Sequence, residues 1–176
     1  MLKRIFTGLF VFFLIAVAAA YLLPRQVHVE RSLVIAASAE TIFPHIDSPR
    51  MFNEWSPWAN KDPNIKMTYS GPESGVGATM TWQSDDQNVG SGTSEITESI
   101  ENELTRQQLD FGDHGGGVSF LRLEAGANDT TVVVWGFDTD LGMNPIARYM
   151  GLMFDSWIGT DYEFGLANLK DMVENP

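Results

Sequence analysis

Hydrophobic and polar positions follow three different rhythms along this chain. Residues 5–23, IFTGLFVFFLIAVAAAYLL, are free of charge from end to end, with Lys3-Arg4 before them and Pro24-Arg25 after them. From Gln26 to Asp140 short apolar-polar alternations are separated by turn residues. Beyond Asn144 the apolar positions recur at helical spacing. The first rhythm predicts a helix that rises about 1.5 Å per residue across the roughly 30 Å hydrocarbon core of a bilayer. Such a helix satisfies its own backbone polar groups without water.

Within the second rhythm, VHVERSLVIAA (27–37) reads as a strand. Ser38 is an N-cap candidate for a short helix, AETIFPHI, which Pro44 keeps short or breaks. SPRMFNEW follows as a second short helix or turn, and WANKDPN as a loop. Six further strands are predicted in IKMTYSG, ATMTWQS, TSEITESI, ENELTRQQLDF, VSFLRLEAG and TTVVVWGFDTD. Their connections are too short for crossover helices, so the sheet is antiparallel.

In the third rhythm, Asn144 caps a helix with Pro145 at its first position. One apolar row runs through Ile146, Met150, Met153, Trp157 and Phe164, and another through Phe154, Ile158, Tyr162, Leu166, Leu169 and Val173. So wide a stripe predicts a long helix clasped on more than one side. Gly151, Gly159 and Gly165 mark bends or close backbone contacts. The chain is therefore expected to be α+β: a curved antiparallel sheet of about seven strands around a long C-terminal helix. Two short helices follow the first strand, and one transmembrane helix precedes it. Residues 1–25 form the anchor segment and residues 26–176 the domain.

A cleaved signal peptide is the rival reading of residues 1–25, since Ala18 and Ala20 fit a small-residue cleavage site. The apolar run continues through Leu22 and Leu23, which favours a retained anchor. Lys3 and Arg4 put the N-terminus on the cytoplasmic side and the domain outside the inner membrane, although Arg25 and Arg31 on the other flank weaken that bias. The net charge is −12, and every acidic residue lies from Glu30 onward. Such a domain repels nucleic acid, which is excluded as a partner. There is no cysteine, so disulfides and thiolate chemistry are excluded.

Several segments together resemble bacterial SRPBCC proteins, the START-like, helix-grip proteins often described as polyketide cyclase/dehydrase. These are VHVERSLVIAASAETIFPHI, EWSPW, YSGPESGVGATMTW, GSGTSEITES and GLANLKDMVE, in that order and spacing. The resemblance spans Gln26 to Glu174 and implies a hydrophobic cavity between sheet and long helix. It implies no single reaction, because relatives of this kind bind lipids, sterols or hormones, assist chaperones or cyclise polyketides.

Against that expectation, Trp55, Trp58, Met80, Trp82, Trp135, Met153 and Trp157 are the candidate ligand contacts, alongside an ordinary role in core packing. The expected ligand is an apolar small molecule or lipid, with no cofactor and no metal. The glycines of GPESGVGATM precede a strand and lack a following lysine, so they form a turn rather than a phosphate loop. Asp110, Asp113 and His114 in DFGDHGGG read as a hairpin turn in preference to a metal site. Glu95 and Glu98, three apart on one strand, are expected on opposite faces, so at most one points inward as an acid or base. Arg106 or Arg122 on neighbouring strands would pair with such a group. Two further functions stay open: a cyclase-like enzyme acting on a cavity-bound substrate, and an envelope protein-interaction module.

Overall fold

The structure is a computed structural model that describes residues 2–59, 61–86 and 89–175. Asn60 in the WANKDPN loop, and Gln87 and Asn88 in the turn after Asp86, lie outside the described residues, as does Pro176. Helix α1 spans Leu2–Ala20 and is followed by strand β1, Gln26–Ile35. Helices α2 (Ala39–Ile46) and α3 (Pro49–Trp55) come next. The remaining strands are β2 (Lys66–Ser70), β3 (Thr79–Gln83), β4 (Ser91–Ile100), β5 (Leu104–Asp110), β6 (Gly116–Ala125) and β7 (Thr131–Asp140). Helix α4, Pro145–Glu174, closes the chain.

All seven strands form one antiparallel sheet in the order β1-β7-β6-β5-β4-β3-β2. The first strand therefore returns beside the last, and α2 and α3 carry the chain across to the opposite edge. Pro44 does not break α2, which continues to Ile46. Asn144 caps α4 as its sequence predicts, its side chain accepting hydrogen bonds from the Ile146 and Ala147 amides.

Two glycines explain how a helix of 30 residues lies so close to the rest of the domain. A Cβ on Gly159 would stand 2.2 Å from the Arg31 guanidinium, and one on Gly165 would stand 2.7 Å from the Trp135 ring. Both positions are close backbone contacts rather than bends. The second apolar row of α4 is buried at Tyr162, Leu166 and Leu169. The first row is not clasped, because Ile146, Met150, Met153, Trp157 and Phe164 are all exposed. Periodicity counted the apolar faces correctly, but only one of them meets the domain.

Candidate functional site

Strand register determines which side chains share the face beneath the helices. Across β2, β3, β4 and β5 one row runs Tyr69, Met80, Ser94, Leu109, and the row beside it begins Met67, Trp82, Gly92. On β6 and β7 the same face carries Ser119 opposite Phe137, Leu121 opposite Trp135, and Leu123 opposite Val133. Most of these residues join α2, α3 and α4 in one apolar cluster.

The cluster has a sealed end and a half-open end. At the sealed end Trp135 stacks on Tyr162 with ring centroids 3.9 Å apart, and Phe52, Trp55 and Trp58 meet it edge-on at 5.6, 5.1 and 5.8 Å. Trp55 and Trp135 are each 1% exposed. Trp58, the outermost ring of this group, is only partly buried, and at the other end so are Met67, Tyr69, Trp82, Leu109 and Phe111. There Trp82 meets Phe111 at 5.9 Å and packs against Gly92, where a Cβ would stand 2.5 Å from the indole. Among the described residues two surface grooves lie elsewhere: about 590 Å³ beside Pro24, Arg25, Gln26 and Asp140, and about 280 Å³ beside Asp62, Lys66 and Gln83. Neither touches the aromatic face.

A few polar groups punctuate this face. Ser94 Oγ donates to Gln107 Oε1 at 2.9 Å, both residues buried. Trp135 Nε1 donates to Ser119 Oγ at 3.1 Å, and Ser119 donates to the Gly136 carbonyl. Burial pushes the Tyr162 phenol far above its ordinary range, so it stays protonated. Trp58 Nε1 and Lys61 Nζ both donate to Asp161, at 3.1 and 2.9 Å, fastening the loop after α3 to α4. This latch holds Trp58 at the edge of the ring cluster.

The seven candidate residues thus separate into three groups. Trp55, Trp58 and Trp135 come together in the ring cluster. Met80 and Trp82 stand on the inner face of β3. Met153 and Trp157 lie on the exposed side of α4, each 48% accessible. Sequence reasoning missed Phe52, Phe111 and the Ser94–Gln107 pair. Polar residues on a strand read as outward, and only the pairing register reveals these two as inward.

The expectation for Glu95 and Glu98 requires correction. The β4–β5 register shifts between Ile96 and Glu98, so both carboxylates lie on the outer face, Glu95 opposite Gln108 and Glu98 opposite Arg106. Glu98 pairs with Arg106 at 2.9 Å, and Arg122 with Glu124 at 2.7 Å. Among the described residues no three His, Asp or Glu side chains converge as a metal site. DFGDHGGG forms a tight turn in which Asp110 Oδ1 accepts from the Gly112 amide. Gly71, Gly75 and Gly77 take positive φ in the β2–β3 connection.

Arg31 is the one charged side chain that β1 sends under α4. It donates to Asp155 at 2.9 Å and to Glu163 at 2.8 Å, in the notch left by Gly159. These hydrogen bonds hold the Asp155 carboxyl below the ordinary carboxylate range. A carboxyl depressed in the folded state contributes stability above its unfolded pKa of about 4 and loses it as pH falls through the folded pKa. Acidification is therefore expected to loosen α4 from β1. In thermal unfolding followed across that range, Arg31→Met should flatten the acid limb; an unchanged pH slope would remove Asp155 from the account.

An open seven-stranded antiparallel sheet gripping a long C-terminal helix, with its aromatic face between them, defines a helix-grip protein. The chain belongs to the family described as "Polyketide cyclase / dehydrase and lipid transport", which matches residues 26–174. Truncated norcoclaurine synthase from Thalictrum flavum is similar in structure, with a TM-score of 0.69 at 12% identity over 86% of this chain and 95% of that one. A point mutant of that synthase in complex with a transition-state analogue gives 0.64 at 16% identity, over 85% and 94%. The Aha1 dimer from Colwellia psychrerythraea gives 0.57 at 20% identity, over 85% and 97%. At these identities the likeness establishes the fold alone. No curated protein sequence matches the chain.

Proposed function

We propose that this protein is a membrane-tethered binder of an apolar small molecule or lipid, which it holds on the aromatic face between sheet and α4. The observation that carries the reading is the half-open end of that face. Met67, Trp82, Leu109 and Phe111 are partly accessible there, around a buried Ser94–Gln107 pair, and Trp58 is partly accessible at the edge of the ring cluster. An apolar wall with a few fixed polar groups is the usual composition of a small-molecule site. Trp55 and Trp135 form its back wall, Met80 and Trp82 its floor, and Trp58 its rim. Family membership supports ligand binding of this kind.

The tether is the apolar helix α1, in which Lys3–Ala20 is long and apolar enough to cross a membrane. We assign residues 1–25 as a single-pass anchor of the cytoplasmic membrane with its N-terminus inside, and residues 26–176 as a domain on the outer side. Lys3 and Arg4 support that orientation. A cyclase-like enzyme has less support. Glu95 and Glu98 face outward, and the titratable group inside the ring cluster, Tyr162, is held protonated by burial. An envelope interaction module would present an apolar patch on the sheet's outer face, which instead carries Glu98–Arg106 and Arg122–Glu124 pairs.

The test is fluorescence titration of the full chain, in zwitterionic detergent, with an apolar aromatic reporter. Saturable binding is expected, with Trp82→Ala weakening it about tenfold, equivalent to about 1.4 kcal/mol. Absence of saturable binding, or equal affinity in the variant, would refute the site.

A further inference from the structure

The exposed apolar row of α4 needs an occupant. Ile146, Met150, Met153 and Trp157 are 70%, 45%, 48% and 48% accessible, and Met143, just before the helix, is 66%. From Ile146 to Trp157 the row extends about 17 Å at the helical rise. A contiguous patch of this kind on a folded domain marks an interaction surface.

The charged residues of the same stretch all point elsewhere. Between Pro145 and Phe164 there are four, Arg148, Asp155, Asp161 and Glu163. Arg148 is 7% exposed and bonds to the carbonyls of Gly142, Tyr21 and Leu23. Asp155 and Glu163 are held by Arg31, and Asp161 by Lys61 and Trp58. The row itself carries no charge.

Its position says what covers it. The Tyr149 hydroxyl donates to the Ala16 carbonyl at 2.8 Å, and the Tyr21 hydroxyl to the Met143 carbonyl at 3.3 Å. The first turns of α4 are therefore fastened alongside the last turn of α1. Ala16 lies four residues, about 6 Å, inside the end of that helix. An amphipathic helix resting on a bilayer buries its apolar face about 5–10 Å into the boundary between headgroups and acyl chains. Tyr149 is thus held at the depth such a face occupies.

We infer that the outer face of α4, from Ile146 to Trp157, docks into the lipid boundary of the same bilayer that α1 crosses. This inference rests on the tethered reading of α1. The attraction is apolar rather than electrostatic, as suits an acidic domain, so it is insensitive to salt and to anionic lipid. Docking also orients the domain: Asp161, one turn beyond Trp157, holds Trp58, so the rim of the aromatic face stands next to the membrane.

The chain has no cysteine, so single thiols can be placed and labelled with an environment-sensitive fluorophore. The full chain is reconstituted in phosphatidylcholine vesicles as Phe10→Cys, Met153→Cys and Val34→Cys, the last being about 27 Å along β1 from its start at Gln26. The expected result is a blue shift and quenching by brominated acyl chains at residues 10 and 153, unchanged in high salt, with neither at residue 34. A lipid-exposed residue 10 with a water-exposed residue 153 would overturn the docking and leave the tether standing. Water exposure at residue 10 would remove the tether, and the docking with it. Quenching at residue 34 would also overturn the inference, since the domain would then lack this orientation. If residue 153 were shielded from brominated lipid and crosslinked between copies, a second copy rather than the bilayer would cover the face.

Discussion

Replacing Trp135 with alanine is expected to destabilise the protein by about 3–5 kcal/mol. The indole is 1% exposed, stacks on Tyr162 at 3.9 Å and receives the edges of Phe52, Trp55 and Trp58. Its removal forfeits the buried apolar area and leaves a void, because the flanking rings are held by contacts of their own. Trp55 Nε1 donates to the His45 carbonyl, and Trp58 is fixed through Asp161. Ser119 also loses a hydrogen-bond donor. The void would lie in the back wall of the proposed binding face. Indole supplied in solution is therefore expected to raise the melting temperature of Trp135→Ala and not that of the unsubstituted chain, since binding only to the folded state stabilises it. Thermal unfolding with and without indole measures both effects. A loss under about 1 kcal/mol would mean that the ring does not organise this face.

The strands were legible because alternation and turn residues agree. All seven occur where the pattern predicts them, as do the cap at Asn144 and the long helix. Alternation failed where the chain breaks its own period. The bulge after Ile96 turns Glu98 to the same side as Glu95, and no residue type at that position announces it. The inward Ser94–Gln107 pair was invisible for a related reason, since the pattern rates these residues polar while their register buries them. The α4 rows show a third limit. A helical period reports that Ile146, Met153 and Trp157 form an apolar face, yet the identity of what covers that face belongs to tertiary structure and to the surroundings of the chain.

Gly165→Leu is the substitution expected to damage the grip itself. A Cβ at this position would stand 2.7 Å from Trp135 Cζ3 and 2.9 Å from Pro57 Cδ, both on rigid rings. Neither ring can yield easily. Trp135 is wedged among four aromatic neighbours, and Pro57 is flanked by Ser56 and Trp58 in the loop that Asp161 fastens. A leucine there must push α4 away from the sheet or displace the loop after α3. Overpacking of this kind costs about 1–3 kcal/mol, against which the helix preference of leucine over glycine returns less than about 1 kcal/mol. Gly8 provides the contrast, with no atom within 4 Å of an added Cβ. Gly8→Leu should therefore leave the melting temperature of the domain unchanged, while Gly165→Leu lowers it and weakens the near-ultraviolet circular dichroism of the ring cluster. Because the displaced loop carries Trp58 at the rim, Gly165→Leu should also speed entry and release of an apolar reporter. Equal melting temperatures for the two variants would show that α4 does not press on the aromatic face at this glycine.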